Sequence, residues 1–105
     1  MKTKVSILHK EYPAALRERV DEKLQDLFRF CSDKVSLSAR LDKEKDMHCV
    51  EIVATVPNGP VLVADARSSV LRGALDDALS RMTRKLKRSR EKRTTERRRT
   101  SRGVI

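Results

Sequence analysis

The chain has no tryptophan, one tyrosine and two phenylalanines in 105 residues. Single-strand readers of the RRM or OB kind stack bases on aromatic platforms, and three rings do not furnish a sheet with such platforms. Glycine is also scarce, at three residues. That excludes the glycine-rich loops that cradle nucleotide phosphates, and no nucleophile elbow or metal-binding His-Glu pair occurs. Two cysteines, Cys31 and Cys49, make no disulfide framework, so a reducing, cytoplasmic setting is expected. With His9 and His48 they are residue types that bind zinc, but no pair has finger-like spacing, so no metal is expected. Long apolar runs are missing too. Nothing approaches the ~20 residues of a membrane span, and the first apolar cluster (Val5, Ile7, Leu8) is too short for a secretory leader.

Acidic charge is abundant in one part of the chain and nearly absent from another. The 25 Lys and Arg outnumber 15 Asp and Glu, for a net charge of +10. Residues 81–105 hold twelve of the basic side chains against only Glu91 and Glu96, which leaves residues 1–80 with thirteen of each sign. A neutral domain with a cationic end points to a polyanion, nucleic acid before an anionic membrane surface. The length suits one domain with a modest core.

Periodicity predicts the elements. Val5 and Ile7 against Lys4 and Ser6 read as a strand over 2–8. Pro13 suits the first turn of a helix. Leu16, Val20, Leu24, Leu27 and Phe28 then recur at helical spacing to about Phe30. Strict alternation follows over 35–41 (Val35, Leu37, Ala39, Leu41) and 48–56 (Val50, Ile52, Ala54, Val56), joined by a charged connection over 42–46. Pro57-Asn58-Gly59 reads as a hairpin turn into a strand over 61–66. Ser68 or Ser69 caps a second helix to about Arg90, striped by Leu71, Leu75, Ala78, Leu79, Met82 and Leu86. The predicted fold is α+β: a β-α-β-β-β-α two-layer sandwich, its four-stranded sheet carrying both helices on one face. Residues 1–92 form the domain. Residues 93–105 have too little apolar surface to offset ordering entropy, and a disordered basic tail is expected there.

The chemistry concentrates on the second helix. With Met82 at the centre of the buried stripe, Arg81, Lys85, Arg88 and Lys92 fall along one flank, while Arg84 and Lys87 take the outer face. Basic residues near a helix C-terminus also suit its dipole, but twelve in 25 residues exceed that need. Arginine forks pair two hydrogen bonds with a phosphate. If six to eight of these charges neutralise phosphates, affinity falls as roughly the fifth to seventh power of salt concentration. No zinc-finger spacing occurs, and a helix-turn-helix does not account for four strands, so backbone and shape recognition of folded RNA is expected. Asp76 and Asp77 diverge by ~100° on a helix and make no paired-carboxylate site, so no enzyme and no small-molecule substrate are expected. Membrane docking ranks lower, because the sheet needs the second helix's apolar stripe.

In order along the chain, Ala15-Leu16-Arg17-Glu18, Val20, Lys23, Lys34-Val35, Pro57-Asn58-Gly59, Leu62-Val63-Ala64, Ala74-Leu75-Asp76, Leu79, Met82, Arg84 and Leu86 carry a resemblance. From about Lys2 to Lys92 the sequence resembles the short ribosome hibernation-promoting factors and ribosome-associated translation inhibitors, the sigma-54 modulation family. It departs from the family's pattern at Ile7, where a glycine is common, at Asp26, where a lysine is frequent, and around Arg67, Ser69, Val70, Leu71 and Arg72, which are more basic than usual. The resemblance implies a cofactor-free protein in the cleft of the small ribosomal subunit, where it contacts ribosomal RNA, covers the tRNA and mRNA path and silences translation. A monomer is expected off the ribosome. Arg17, Lys23 and Arg84 are the implied contacts, with Arg81, Lys85, Lys87, Arg88, Arg90 and Lys92 as the basic neighbours. A structured-RNA-binding module that leaves translation running is the alternative.

Overall fold

A computed structural model describes residues 2–103, with side chains from Lys2 to Glu91. The elements are β1 (Lys2–Ile7), α1 (Ala15–Asp26), a 3₁₀ turn η1 (Leu27–Phe30), β2 (Ser36–Glu44), β3 (Met47–Thr55), β4 (Val61–Ser68) and α2 (Leu71–Gly103). This is the β-α-β-β-β-α order that the periodicity predicts. The sheet runs β1-β2-β3-β4, with β1 parallel to β2 and the other pairs antiparallel. α1 lies on β1 and β2, and α2 lies on β4 and β3.

Alternation decides which face the helices cover. Leu37, Ala39 and Leu41 of β2, Val50, Ile52 and Ala54 of β3, and Ala64 and Ala66 of β4 are all buried. Val20 and Leu24 of α1 and Ala74, Ala78, Met82 and Leu86 of α2 close over them. Among the described residues, no helix covers the opposite face of the sheet. Its positions, among them Lys4, Ser38, Arg40, Glu51 and Asp65, are half-buried or exposed.

Several boundaries differ from the sequence reading. The first helix changes to 3₁₀ winding at Leu27, which keeps Leu27 buried while Phe28 and Phe30 pack against the rim of the core; such tightening is common in a last helical turn. The connection over 42–46 shrinks to Lys45-Asp46, because Asp42, Lys43 and Glu44 pair with Cys49, His48 and Met47. Side chains here are tied from outside the sheet. The Tyr12 hydroxyl lies 2.6 Å from His48 Nδ1 and 3.2 Å from the Asp42 carbonyl. Lys43 Nζ donates to Glu11 at 2.8 Å and holds that carboxyl below its usual range.

α2 also outruns its expected end, its backbone continuing from Arg90 to Gly103. Lys, Arg and Glu are good helix formers, and no proline or glycine lies between Arg90 and Gly103. The expectation of a disordered tail over 93–105 meets a backbone that is helical as far as Gly103; the side chains of that segment, and residues 104–105, lie outside the described residues. At the other end of α2, the Ser68 hydroxyl accepts the Val70 N–H at 3.1 Å, so of the two candidate serines it is Ser68 that closes the turn.

In the β3–β4 turn the Val56 N–H donates to the Pro60 carbonyl and the Gly59 N–H to the Val56 carbonyl. Asn58 occupies the left-handed region at φ 54°, which asparagine tolerates and β-branched residues do not. Asn58→Val is therefore expected to cost about 1–2 kcal/mol, and Asn58→Gly to be near neutral. Urea unfolding of the two variants checks the difference.

Candidate nucleic-acid interface

α2 is the rod that presents the cations. Its buried stripe fixes its rotation about its own axis, so each basic residue has a defined direction. Arg81 and Lys85 lie on the flank that faces β4, one turn apart. β4 is an edge strand, and its outward carbonyls have no strand to pair with. Lys85 Nζ donates to the Val63 carbonyl at 2.6 Å, and Arg81 Nη1 donates to the Asp65 carbonyl at 2.7 Å. Arg81 also lies 3.6 Å from Asp77. Both cations remain exposed, and a carbonyl does not cancel their charge.

The opposite edge is treated the same way. Arg17 Nη1 on α1 donates to the Val5 carbonyl of β1 at 3.2 Å. Helix cations thus cover unpaired carbonyls on both sheet edges, a known means of blocking strand-to-strand aggregation. Sequence reasoning missed this duty, because which strands are edges is a property of topology. Lys85→Met keeps the aliphatic stem but frees the Val63 carbonyl. Stability is expected to change by less than about 1 kcal/mol. Sedimentation velocity should show concentration-dependent dimers for this variant and a monomer for the unaltered chain.

Arg84 and Arg88, also one turn apart, are exposed. Among the described residues, neither makes a hydrogen bond or ion pair. A one-turn separation sets them about 6 Å apart along the helix axis. Lys87, expected on the outer face, instead leans toward η1, with its ammonium 4.9 Å from the centre of the Phe30 ring. Arg90 is exposed beside a groove at the same end of the sheet. The Lys92 side chain lies outside the described residues. α2 therefore gathers Arg81, Arg84, Lys85 and Arg88, and turns Lys87 and Arg90 to its other side.

α1 does not join that group. Arg17 serves the β1 edge, three strand spacings or about 14 Å across the sheet from β4. Lys23 is exposed in the last turn of α1, six residues and ~240° around the helix from Arg17, so the two share no face. Lys34, just before β2, is a further exposed cation at the groove that the ridge reading left out. The lesser candidates separate as well: Cys31 lies at the groove, where burial pushes its thiol pKa up, and His48 pairs with Tyr12. Among the described residues, no three His, Cys, Asp or Glu side chains are grouped to hold a metal ion, and no helix is long and apolar enough to cross a membrane.

The class the fold defines is a small α+β sandwich whose four-stranded sheet carries both helices on one face, one of them strongly cationic. The chain belongs to the sigma 54 modulation protein / S30EA ribosomal protein family, which matches residues 3–94. The resemblance carried by Ala15-Leu16-Arg17-Glu18 and the later motifs is to this family. Among solved structures, the chain is similar to the N-terminal domain of Protein Y from Thermus thermophilus. That likeness has 24% identity and a TM-score of 0.73, over 84% of this chain and 98% of that one. A ribosomal subunit interface protein from Coxiella burnetii is 20% identical with a TM-score of 0.72, over 87% of this chain and 99% of that one. Both show the same fold. Among curated proteins, none matches.

Proposed function

We propose that this chain binds the small ribosomal subunit by docking α2 on ribosomal RNA phosphates, and that it thereby blocks the tRNA and mRNA path. The observation that carries the reading is the pair Arg84 and Arg88. Two exposed arginines on a rigid helix, without an intramolecular partner among the described residues, are held ready for anions. Arg81 and Lys85 add charge on the neighbouring flank, and each has donors left over after its carbonyl bond. Membership of a family that includes ribosomal proteins supports the ribosome as the source of the phosphates. So does likeness to a subunit interface protein.

In this reading the action is occlusion, with no bond made or broken. Residues 1–92 form the docking unit, which works in the cytoplasm as a monomer until it meets the ribosome. Arg17 and Lys23 touch RNA separately from α2, because they face other directions.

Sedimentation with purified small subunits in sucrose gradients tests the binding, and cell-free translation tests the consequence. The expected result is co-migration at low salt, release at high salt, and dose-dependent inhibition of translation. Tight RNA binding with translation unchanged would instead favour a structured-RNA-binding module without silencing activity.

A further inference from the structure

α2 does not stop where the sheet stops. Leu86 is its last large buried residue, and the next turn, Ser89 and Arg90, hangs past the ends of β2 and β3. The gap beneath it is a groove of about 670 Å³, floored by Val35, Val56 and Leu86 and walled on one side by Phe30 and Cys31. That volume is in the range of small-ligand sites. Lys34 and Arg90 stand at its rim, and among the described residues no aspartate or glutamate lines it.

We infer that this groove accepts one unpaired nucleotide of the RNA, with the base on the apolar floor and its phosphate at Lys34. The inference rests on the phosphate-docking reading of α2 and extends it to a base. The Lys34 ammonium at the rim calls for an anionic occupant, and the floor calls for an apolar one. A fatty acid would meet both demands, but Asn58 and Ser89 also line the groove. A hydrocarbon tail would leave their polar groups without partners, whereas the edge of a base offers donors and acceptors to them. The site differs from an aromatic stacking platform: the base is held by aliphatic side chains, and one face of Phe30 already carries the Lys87 ammonium. A bulged or looped nucleotide fits, because a paired base cannot leave its helix without an unstacking cost.

The test uses the full chain and two RNA hairpins, one with a single unpaired 2-aminopurine and one with that base paired. The unaltered protein is expected to prefer the unpaired hairpin on the order of tenfold and to change the 2-aminopurine fluorescence on binding. Ser89→Phe, which fills the groove, should abolish the preference and keep the affinity for the paired hairpin. Lys34→Gln should weaken binding of the unpaired hairpin and lower its salt slope by about one. Alkylation of Cys31, measured in a Cys49→Ser background, should slow with the unpaired hairpin and not with the paired one. Equal affinity for both hairpins, or Cys31 alkylation unaffected by the unpaired one, overturns the groove as a nucleotide site and leaves phosphate docking standing. Failure to bind either hairpin overturns both.

Discussion

Replacing Arg84 and Arg88 together by glutamate is expected to lower affinity for small ribosomal subunits by about a hundredfold at ~0.1 M salt. The magnitude follows from counterion release. Each phosphate contact contributes close to one power of salt concentration, so at ~0.1 M each lost contact is worth nearly a factor of ten. The salt slope itself should fall by about two. Fold stability should change little, within about 0.5 kcal/mol, because both side chains are exposed and without partners among the described residues. This separation of binding from stability is why the pair is chosen. Arg81 and Lys85 also cover β4 carbonyls, so reversing their charge would disturb the sheet edge as well as the interface. Titration with labelled small subunits at several salt concentrations gives both affinity and slope. An unchanged slope would remove Arg84 and Arg88 from the interface.

Met82→Ala is expected to cost about 2–5 kcal/mol, a large part of the 5–15 kcal/mol typical of a whole domain. Met82 is fully buried and is the large side chain at the centre of the α2 stripe. Ala74 and Ala78, a turn or two earlier, bring the helix close to β3 and β4. Truncating Met82 leaves a cavity that the neighbouring strands cannot collapse to fill. Urea unfolding should show a lower midpoint with the same m-value. RNA binding by the folded fraction should be retained, since Met82 touches no solvent. A cost under 0.5 kcal/mol would mean that α2 is not seated by Met82.

The two variants divide the helix into the side that anchors and the side that binds. A phosphate-docking surface gains from being rigid, because ordering long cationic side chains on a flexible segment would cost entropy at each contact. Packing supplies that rigidity along α2 as far as Leu86, where the sheet ends.

The local patterns determined most of the fold. Period-two alternation at Val35 to Leu41 and Val50 to Val56 buries the residues it predicts, and the helical spacing from Leu71 to Leu86 buries Leu75, Ala78, Met82 and Leu86 and packs Leu71 and Leu79 partly against the core, because one residue's facing follows from its neighbours' in a regular backbone. The concentration of cations on one helix was equally legible, since charge and helical phase are both written locally. Tertiary structure alone decided how those cations are used. The order β1-β2-β3-β4 makes β1 and β4 the edges and so turns Arg17, Arg81 and Lys85 toward unpaired carbonyls. The length of the sheet against that of α2 opens the groove at Lys34 and Arg90. The seat of η1 draws Lys87 over Phe30. Each of these depends on residues distant in sequence becoming neighbours, and a pattern read along the chain does not contain that distance.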